Sequence, residues 1–324
     1  NMRDCYNRKI DYMRISVTNR CNFRCTYCMP ETKKVEETLS LDEIYEVAFA
    51  ASECGITKYK ITGGEPLIRD GIVDFIKKLH TLDNIKDITM TTNGFYLEKL
   101  AKDLKKAGLS SVNISLDTLK KEKFKKIAGV DALNDVMSGI KEAINAGIST
   151  KINTVIQKGV NDDELFDIIE LAKNDKLNIR FIEMMPIGHG KESIGMSNVE
   201  ILERIKERYN VAEDNKKYGN GPAKYIKLEG FTGAIGFISA MHGKFCDNCN
   251  RIRFTSTGKL KPCLCYESNI DVKDILKNTE IGFEKKHNIL KEKIRECIAG
   301  KPEAHAFEDL SKISEMKDMV EIGG

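Results

Sequence analysis

The chain has 324 residues, 41% of them hydrophobic and 31% charged, which allows two domains of ordinary size or one large α/β barrel with an appendage, and in either case a sizeable core. Its 52 Lys and Arg against 49 Asp and Glu leave a net charge of +3, so no global field is available for gripping nucleic acid or an anionic membrane, and any anionic partner must meet a local cluster. No apolar run is long enough to span a bilayer and no basic-then-apolar leader opens the chain; membrane insertion and export are not expected, the expected address is cytoplasmic, and Asn1 ahead of Met2 reads as an addition to the natural chain.

From Tyr12 to Glu183, short β-rich runs alternate with amphipathic stretches, the pattern of repeated βα units around a parallel sheet. Strands are expected at Met13 to Val17, Lys58 to Thr62, Asp87 to Thr91, Ser111 to Leu116, Thr150 to Ile156 and Asn178 to Glu183. Ser40 to Glu43 reads as a capping box, and Gly55, Gly108 and Gly147 each follow a helical run as a C-terminal cap would. Six units predict an incomplete barrel, in which chemistry belongs where strands end and βα loops begin. After Glu183 the rhythm changes: a loop over Gly188 to Gly195, a helix near Val199 to Tyr209, the punctuation Tyr218-Gly219-Asn220-Gly221-Pro222, two hairpin-like runs, a charged helical stretch over roughly Val272 to Ala299, and a diglycine end.

The chain holds ten cysteines, and without an export signal they read as metal or catalytic groups rather than disulfides. Cys21, Cys25 and Cys28 follow the first predicted strand with the spacing C-x3-C-x2-C. Structural zinc sites and ferredoxin cubanes normally take four protein ligands. Three thiolates instead leave one iron of a cubane open to a small chelating ligand. This loop resembles the signature of the radical S-adenosylmethionine superfamily, and Gly63-Gly64-Glu65-Pro66 after the second strand resembles its second mark. The resemblance implies that Tyr27, Gly64, Ser115 and Met185 contact S-adenosylmethionine; Met185 reads equally well as core packing.

Cys246, Cys249 and Cys263 form a second group, C-x2-C-x13-C, which on spacing alone fits zinc with Cys265 as a fourth ligand as well as it fits a second iron-sulfur site. Arg251 and Arg253 lie two residues apart, so on a strand both point to one face, where paired guanidinium groups suit a polyphosphate. Arg14, Lys58, Lys60, Arg69, Lys151 and Arg180 also sit in or beside predicted strands, and basic groups rarely line a barrel interior without an anion to meet.

Taken in order along the whole chain, Met13 to Pro30, the Gly63 turn, Asn178 to Met185, Phe245 to Cys263 and Gly323-Gly324 resemble the GTP 3',8-cyclase family, which acts first in molybdenum cofactor synthesis. The class this implies is α/β, an incomplete TIM-like (β/α)6 barrel over residues 1–190 with a C-terminal iron-sulfur extension over 191–324. The resemblance further implies two [4Fe-4S] clusters, on Cys21, Cys25 and Cys28 and on Cys246, Cys249 and Cys263, with Cys265 a bystander. GTP would be bound by Arg14, Lys60, Thr91, Lys151 and the segment Arg251, Ile252 and Arg253, with Arg251 and Arg253 candidates for a part in the reaction itself. The implied partners are a low-potential electron donor and cyclic pyranopterin monophosphate synthase as product recipient, with a homodimer allowed. Two departures stand out: Lys60 replaces a common arginine, keeping the charge but losing the fork, and Asp318 to Glu321 replace the basic residues often found before the final glycines. The rival readings are a peptide-modifying radical enzyme with an auxiliary cluster and a non-catalytic iron-sulfur or zinc protein.

Overall fold

Alternation along β1 (Tyr12–Ser16) sets the architecture: Met13 and Ile15 are wholly buried on one face, while Tyr12 and Arg14 turn to the other and line a cavity. The same division recurs in β2 (Lys58–Thr62), β3 (Asp87–Thr92), β4 (Ser111–Ser115), β5 (Ser149–Thr154) and β6 (Leu177–Ile182). Their outer faces carry Tyr59 and Ile61, Ile88 and Met90, Val112 and Ile114, Ile152, and Ile179 and Phe181, all at most 1% exposed. Burying this apolar layer against the surrounding helices supplies the main cohesion of the barrel, at about 25 cal/mol per Å².

The structure, a computed structural model, describes residues 2–26, 28, 38–185, 194–216, 218–239, 246–306, 309–315 and 319. The helices that follow the strands are α1 (Leu41–Glu53), α2 (Ile72–His80), α3 (Leu97–Ala107), α4 (Lys121–Ala128), α5 (Leu133–Asn145) and α6 (Leu165–Glu170). The capping box forms as expected: the Ser40 hydroxyl accepts from the Glu43 N–H at 3.1 Å, and the Glu43 carboxylate from the Ser40 N–H at 2.7 Å. Gly108 caps α3 in the left-handed region, at φ +108°, as a residue without Cβ does readily.

β1 to β6 run parallel in sequence order, and each expected strand is found within two residues of its expected ends. Beyond them come α7 (Asn198–Arg208), β7 (Val211–Asp214), β8 (Lys224–Leu228), β9 (Ile235–Ile238), β10 (Arg251–Phe254), β11 (Lys259–Lys261) and β12 (Ile270–Asp271). The last two segments are α8 (Lys273–Lys277) and α9 (Phe283–Ala299), so the charged stretch read as one helical run is broken around Asn278, whose side chain accepts from the N–H groups of Glu280 and Ile281.

Among the described residues, all twelve strands share one sheet, ordered β12-β11-β10-β1-β2-β3-β4-β5-β6-β9-β8-β7. β10 pairs parallel with β1 and β9 parallel with β6, so the C-terminal segments extend both edges of the barrel sheet. Arg253 thereby comes level with Arg14, and Arg14 with Lys60. Residues 188–193 of the loop expected over Gly188 to Gly195, Tyr27 and Gly323-Gly324 lie outside the described residues. No described helix is long and apolar enough to cross a membrane.

Candidate active site

The polar inner faces of the strands enclose a cavity of about 590 Å³. Both cysteine groups, Gly64, Ser115, Met185 and every expected nucleotide contact except Ile252 line it. Ile252 is wholly buried in the core on the opposite face of β10, because adjacent strand residues point to opposite sides; a substrate contact there is left to its backbone. Tyr27 lies outside the described residues.

The first thiol group is held by the ends of three strands. The Gly64 N–H donates to the Thr18 carbonyl at 2.9 Å and the Glu65 N–H to the Arg20 carbonyl at 2.8 Å, which fastens the glycine turn to the loop that leads into Cys21. An added Cβ on Gly63 would stand 2.7 Å from the Thr18 carbonyl oxygen. The requirement for glycine there thus arises inside the protein. Gly63→Ala is expected to cost about 1–3 kcal/mol of stability by overpacking; chemical denaturation checks this, and an unchanged midpoint would show that the two loops can move apart freely. Glu65 is 1% exposed and accepts from Thr92 Oγ1 at 2.7 Å, the Asn93 N–H at 2.6 Å and the Leu67 N–H at 3.0 Å. Burial pushes its carboxyl up to about 7 against the pull of these donors. Asn93 in turn donates to the Asn22 side chain at 2.8 Å, so the ends of β2 and β3 both position the cysteine loop.

The second thiol group is held by residues far away in sequence. Lys301, 4% exposed, donates to Cys249 Sγ at 3.6 Å and to the carbonyls of Arg251 at 2.7 Å and Pro262 at 2.8 Å. Buried Arg8 donates to the Cys246 carbonyl at 2.8 Å, and the His305 N–H to Cys246 Sγ at 3.4 Å. Burial pushes the Cys249 thiol up, but Arg251 and Lys301 more than offset this and bring it down to about 7. Cys265 is wholly buried in a small apolar cluster with Leu264, Ala306 and Ile313, and stands off the cavity wall. Met185 both lines the cavity and packs on that cluster.

Each group offers three thiols on the cavity wall with hydrogen-bond donors aimed at sulfur; at Cys21 the donor is the Phe23 N–H, 3.4 Å away. Iron-bound thiolates accept such bonds, so both donor sets fit a cubane held by three cysteines. Among the described residues no three His, Cys, Asp or Glu side chains converge as a cage for a single ion.

The same cavity wall carries a set of cations. Arg14, Lys60, Lys151, Arg180, Arg251 and Arg253 all face the cavity, with Lys60, Lys151 and Arg180 at most 7% exposed. Lys151 donates to Ser111 Oγ at 2.8 Å and Arg180 Nε to Asn153 Oδ1 at 2.9 Å. Burial, and then Arg180, brings the Lys151 ammonium down to about 8. Burial pushes Lys60 well down too, helped by Arg180, Arg14, Lys151 and Arg251, and Arg253 likewise by burial, Arg14 and Arg251. Like charges gathered out of water lower one another's affinity for protons, and an anion placed among them reverses the effect. Lys58 and Arg69 stay out of the cavity: Lys58 pairs with Asp11 at 3.2 Å, and Arg69 donates to Thr38 Oγ1 at 2.9 Å and the Leu39 carbonyl at 2.8 Å.

The loop read as punctuation, Tyr218 to Pro222, also lines the cavity, with Asn220 donating to Asp87. Residues the sequence did not single out, Tyr12, Asn113 and Asn153, join the wall because they alternate with its core positions.

Comparison with known proteins agrees with this geometry along the whole chain. Residues 15–172 match the model of the Radical SAM superfamily and residues 177–307 that of Molybdenum Cofactor Synthesis C. The chain is 45% identical over 328 aligned residues to a GTP 3',8-cyclase of Clostridium perfringens (strain SM101 / Type A), covering 100% of both. It is 41% identical to one of Helicobacter pylori (strain HPAG1), covering 99% of both, and 45% identical to one of Thermodesulfovibrio yellowstonii over 90% of this chain and 92% of the relative. In fold it resembles Streptococcus suis SuiB bound to S-adenosylmethionine, with a TM-score of 0.62 and 16% identity over 89% of this chain and 68% of that one.

Proposed function

The chain belongs to the GTP 3',8-cyclase family of radical S-adenosylmethionine enzymes, and from this premise we infer that it converts GTP to 3',8-cyclo-7,8-dihydroguanosine 5'-triphosphate, the first step of molybdenum cofactor synthesis. One observation carries the reading: two three-thiol groups and six cations share a single cavity. A non-catalytic metal protein would have no use for that arrangement.

In this reading Cys21, Cys25 and Cys28 hold the cluster that takes S-adenosylmethionine, and Cys246, Cys249 and Cys263 hold the second [4Fe-4S] cluster. When bound, these groups supply an electron and a carbon radical able to remove a hydrogen atom. The protein's part is placement. Arg14, Lys60, Lys151, Arg251 and Arg253 hold the triphosphate, the Arg forks each giving parallel hydrogen bonds to phosphate oxygens. Thr91 adds a neutral donor. Gly64, Ser115 and Met185, together with Tyr27, form the wall for S-adenosylmethionine. The ribose C3' hydrogen then has to lie within about 3–3.5 Å of the reacting carbon. Arg251 and Arg253 also balance the charge that changes during turnover, since Arg251 acts electrostatically on the Cys249 thiol and Arg253 feels both Cys249 and Cys263.

A low-potential donor supplies the electron, and cyclic pyranopterin monophosphate synthase takes the product. A cytoplasmic address suits this chemistry, because reduced thiols persist there. The chain, reconstituted without oxygen, should carry about eight irons and, given S-adenosylmethionine, GTP and dithionite, form 5'-deoxyadenosine only when GTP is present, together with the cyclic nucleotide. Cleavage that ignores GTP, or that needs a peptide, would assign the site to the peptide-modifying rival.

Lys151 gives the reading a pH signature. Its free-state value of about 8 should rise when a triphosphate sits beside it, so above pH 8 binding must take up a proton. The part of the GTP affinity that Lys151 contributes is therefore expected to hold below pH 8 and then to fall by up to roughly tenfold per pH unit. Titrations between pH 7 and 9.5 measure this, and Lys151→Gln should flatten the curve. A slope unchanged in that variant would place the phosphates elsewhere.

A further inference from the structure

The loop that carries Cys25 meets solvent at the residues flanking it. Arg24 and Thr26 are exposed on either side of Cys25, whose side faces the cavity. The last turn of α4 lies directly against this loop: the Arg24 N–H donates to the Ala128 carbonyl at 2.8 Å and the Thr26 N–H to the Ile127 carbonyl at 3.0 Å. Phe124 of α4 meets Phe23 of the loop edge-on, with ring centroids 5.9 Å apart. Gly129, which ends α4 at φ +72°, lets the helix come this near, since an added Cβ would stand 2.9 Å from the Arg24 Cβ.

This contact region is strongly basic. The segment entering and forming α4 reads Lys120-Lys121-Glu122-Lys123-Phe124-Lys125-Lys126. Lys120 and Lys123 are paired with Asp163, and Lys121 with Asp131 at 3.2 Å. Exposed Lys125 and Lys126 have no carboxylate partner among the described residues and stand in the turn that touches the loop. The Arg24 guanidinium folds back onto the carbonyls of Cys21 at 2.8 Å and Phe23 at 3.0 Å, and so adds fixed positive charge behind the thiols. The net balance of the chain is only +3, which makes the concentration of cations here a local feature rather than a share of a general excess.

We propose that the face formed by Lys125, Lys126 and the exposed side of the Arg24 to Thr26 loop is the docking surface for an acidic one-electron carrier protein. The inference rests on the reading that Cys21, Cys25 and Cys28 hold an electron-accepting cluster. The carrier is oxidised by one electron and the site behind the loop is reduced by one, with no bond formed. Charge complementarity selects the partner and speeds its arrival at the loop that carries Cys25.

The test is charge reversal, Lys125→Glu with Lys126→Glu, on an exposed helix face where little effect on folding is expected. Two arms use a bacterial flavodoxin as the acidic carrier. Binding of oxidised flavodoxin at low salt is expected to weaken by about tenfold or more and to lose its salt dependence. Reduction of the iron-loaded protein by reduced flavodoxin is expected to slow similarly, while reduction by dithionite is unchanged. Unaltered flavodoxin binding, or equal slowing with both reductants, would overturn the proposal. So would tight binding of a single-stranded oligonucleotide that is lost in the same variant while flavodoxin acts normally. The binding arm needs no electron transfer, so it decides the surface even if the cluster reading fails; that failure would show separately, as no dithionite reduction in the unaltered protein.

Discussion

In an Arg253→Ala chain, kcat/KM for GTP is expected to fall by roughly 30- to 700-fold, which corresponds to about 2–4 kcal/mol of lost interaction between a buried guanidinium and phosphate. The nucleotide-free protein, by contrast, should melt no lower than the parent. The two effects have one cause. Arg253 lies level with Arg14 across the β10 and β1 pair, and burial together with Arg14 and Arg251 pushes its proton affinity well down. Removing one of several mutually repelling cations relieves the empty cavity and weakens the filled one. A side chain that merely braced the strand would give the opposite pattern, a lower melting temperature with proportionate loss of activity. Thermal melts with and without GTP, beside steady-state kinetics, separate the two: the stabilisation that GTP confers should shrink in the variant even though the starting point does not.

Cys25→Ala and Cys249→Ala are expected to part company although each removes one thiol of three. Either change should reduce bound iron from about eight to about four per chain. Without Cys25 no 5'-deoxyadenosine should form, with or without GTP. Without Cys249, slow cleavage of S-adenosylmethionine should persist, while conversion of GTP stops. The distinction follows from placement, since the first group sits at the ends of β1, β2 and β3 beside Gly64, whereas the second is carried by the segment before β10 and, for Cys263, the residues after β11, and is pinned by Lys301 and Arg8. Iron analysis with nucleoside chromatography is enough. Identical behaviour of the two variants would mean that the groups do not divide the chemistry in this way.

Much of this was legible in the chain itself. The six βα units could be read because each strand alternates within a short window, and the residues between the apolar positions, Arg14, Lys60, Thr91 and Lys151, are the ones that reach the cavity. Local spacing likewise marked both thiol groups, while the pairing of β10 with β1 is what brings them to one cavity. What could not be read was anything set by distant pairing. Lys301 and Arg8 organise the second thiol group from opposite ends of the chain, and no nearby motif marks them. The parallel pairing of β9 and β10 with the barrel edges depends on register across more than fifty residues in one case and more than two hundred in the other. Gly63 shows a subtler gap: the atom that crowds it is the carbonyl of Thr18, brought there by the fold and not marked in the local sequence. The resemblance took Ile252 into the site with its arginine neighbours; the pleat buries its side chain in the core and leaves that contact to its backbone.

If a single cavity holds the ribose of GTP beside the carbon derived from S-adenosylmethionine, hydrogen passes from one to the other. Turnover of GTP carrying deuterium at C3', with mass analysis of the 5'-deoxyadenosine released, measures that transfer. One deuterium is expected in that product, and none when the label is moved to another ribose carbon. Unlabelled 5'-deoxyadenosine formed alongside converted GTP would rule this arrangement out.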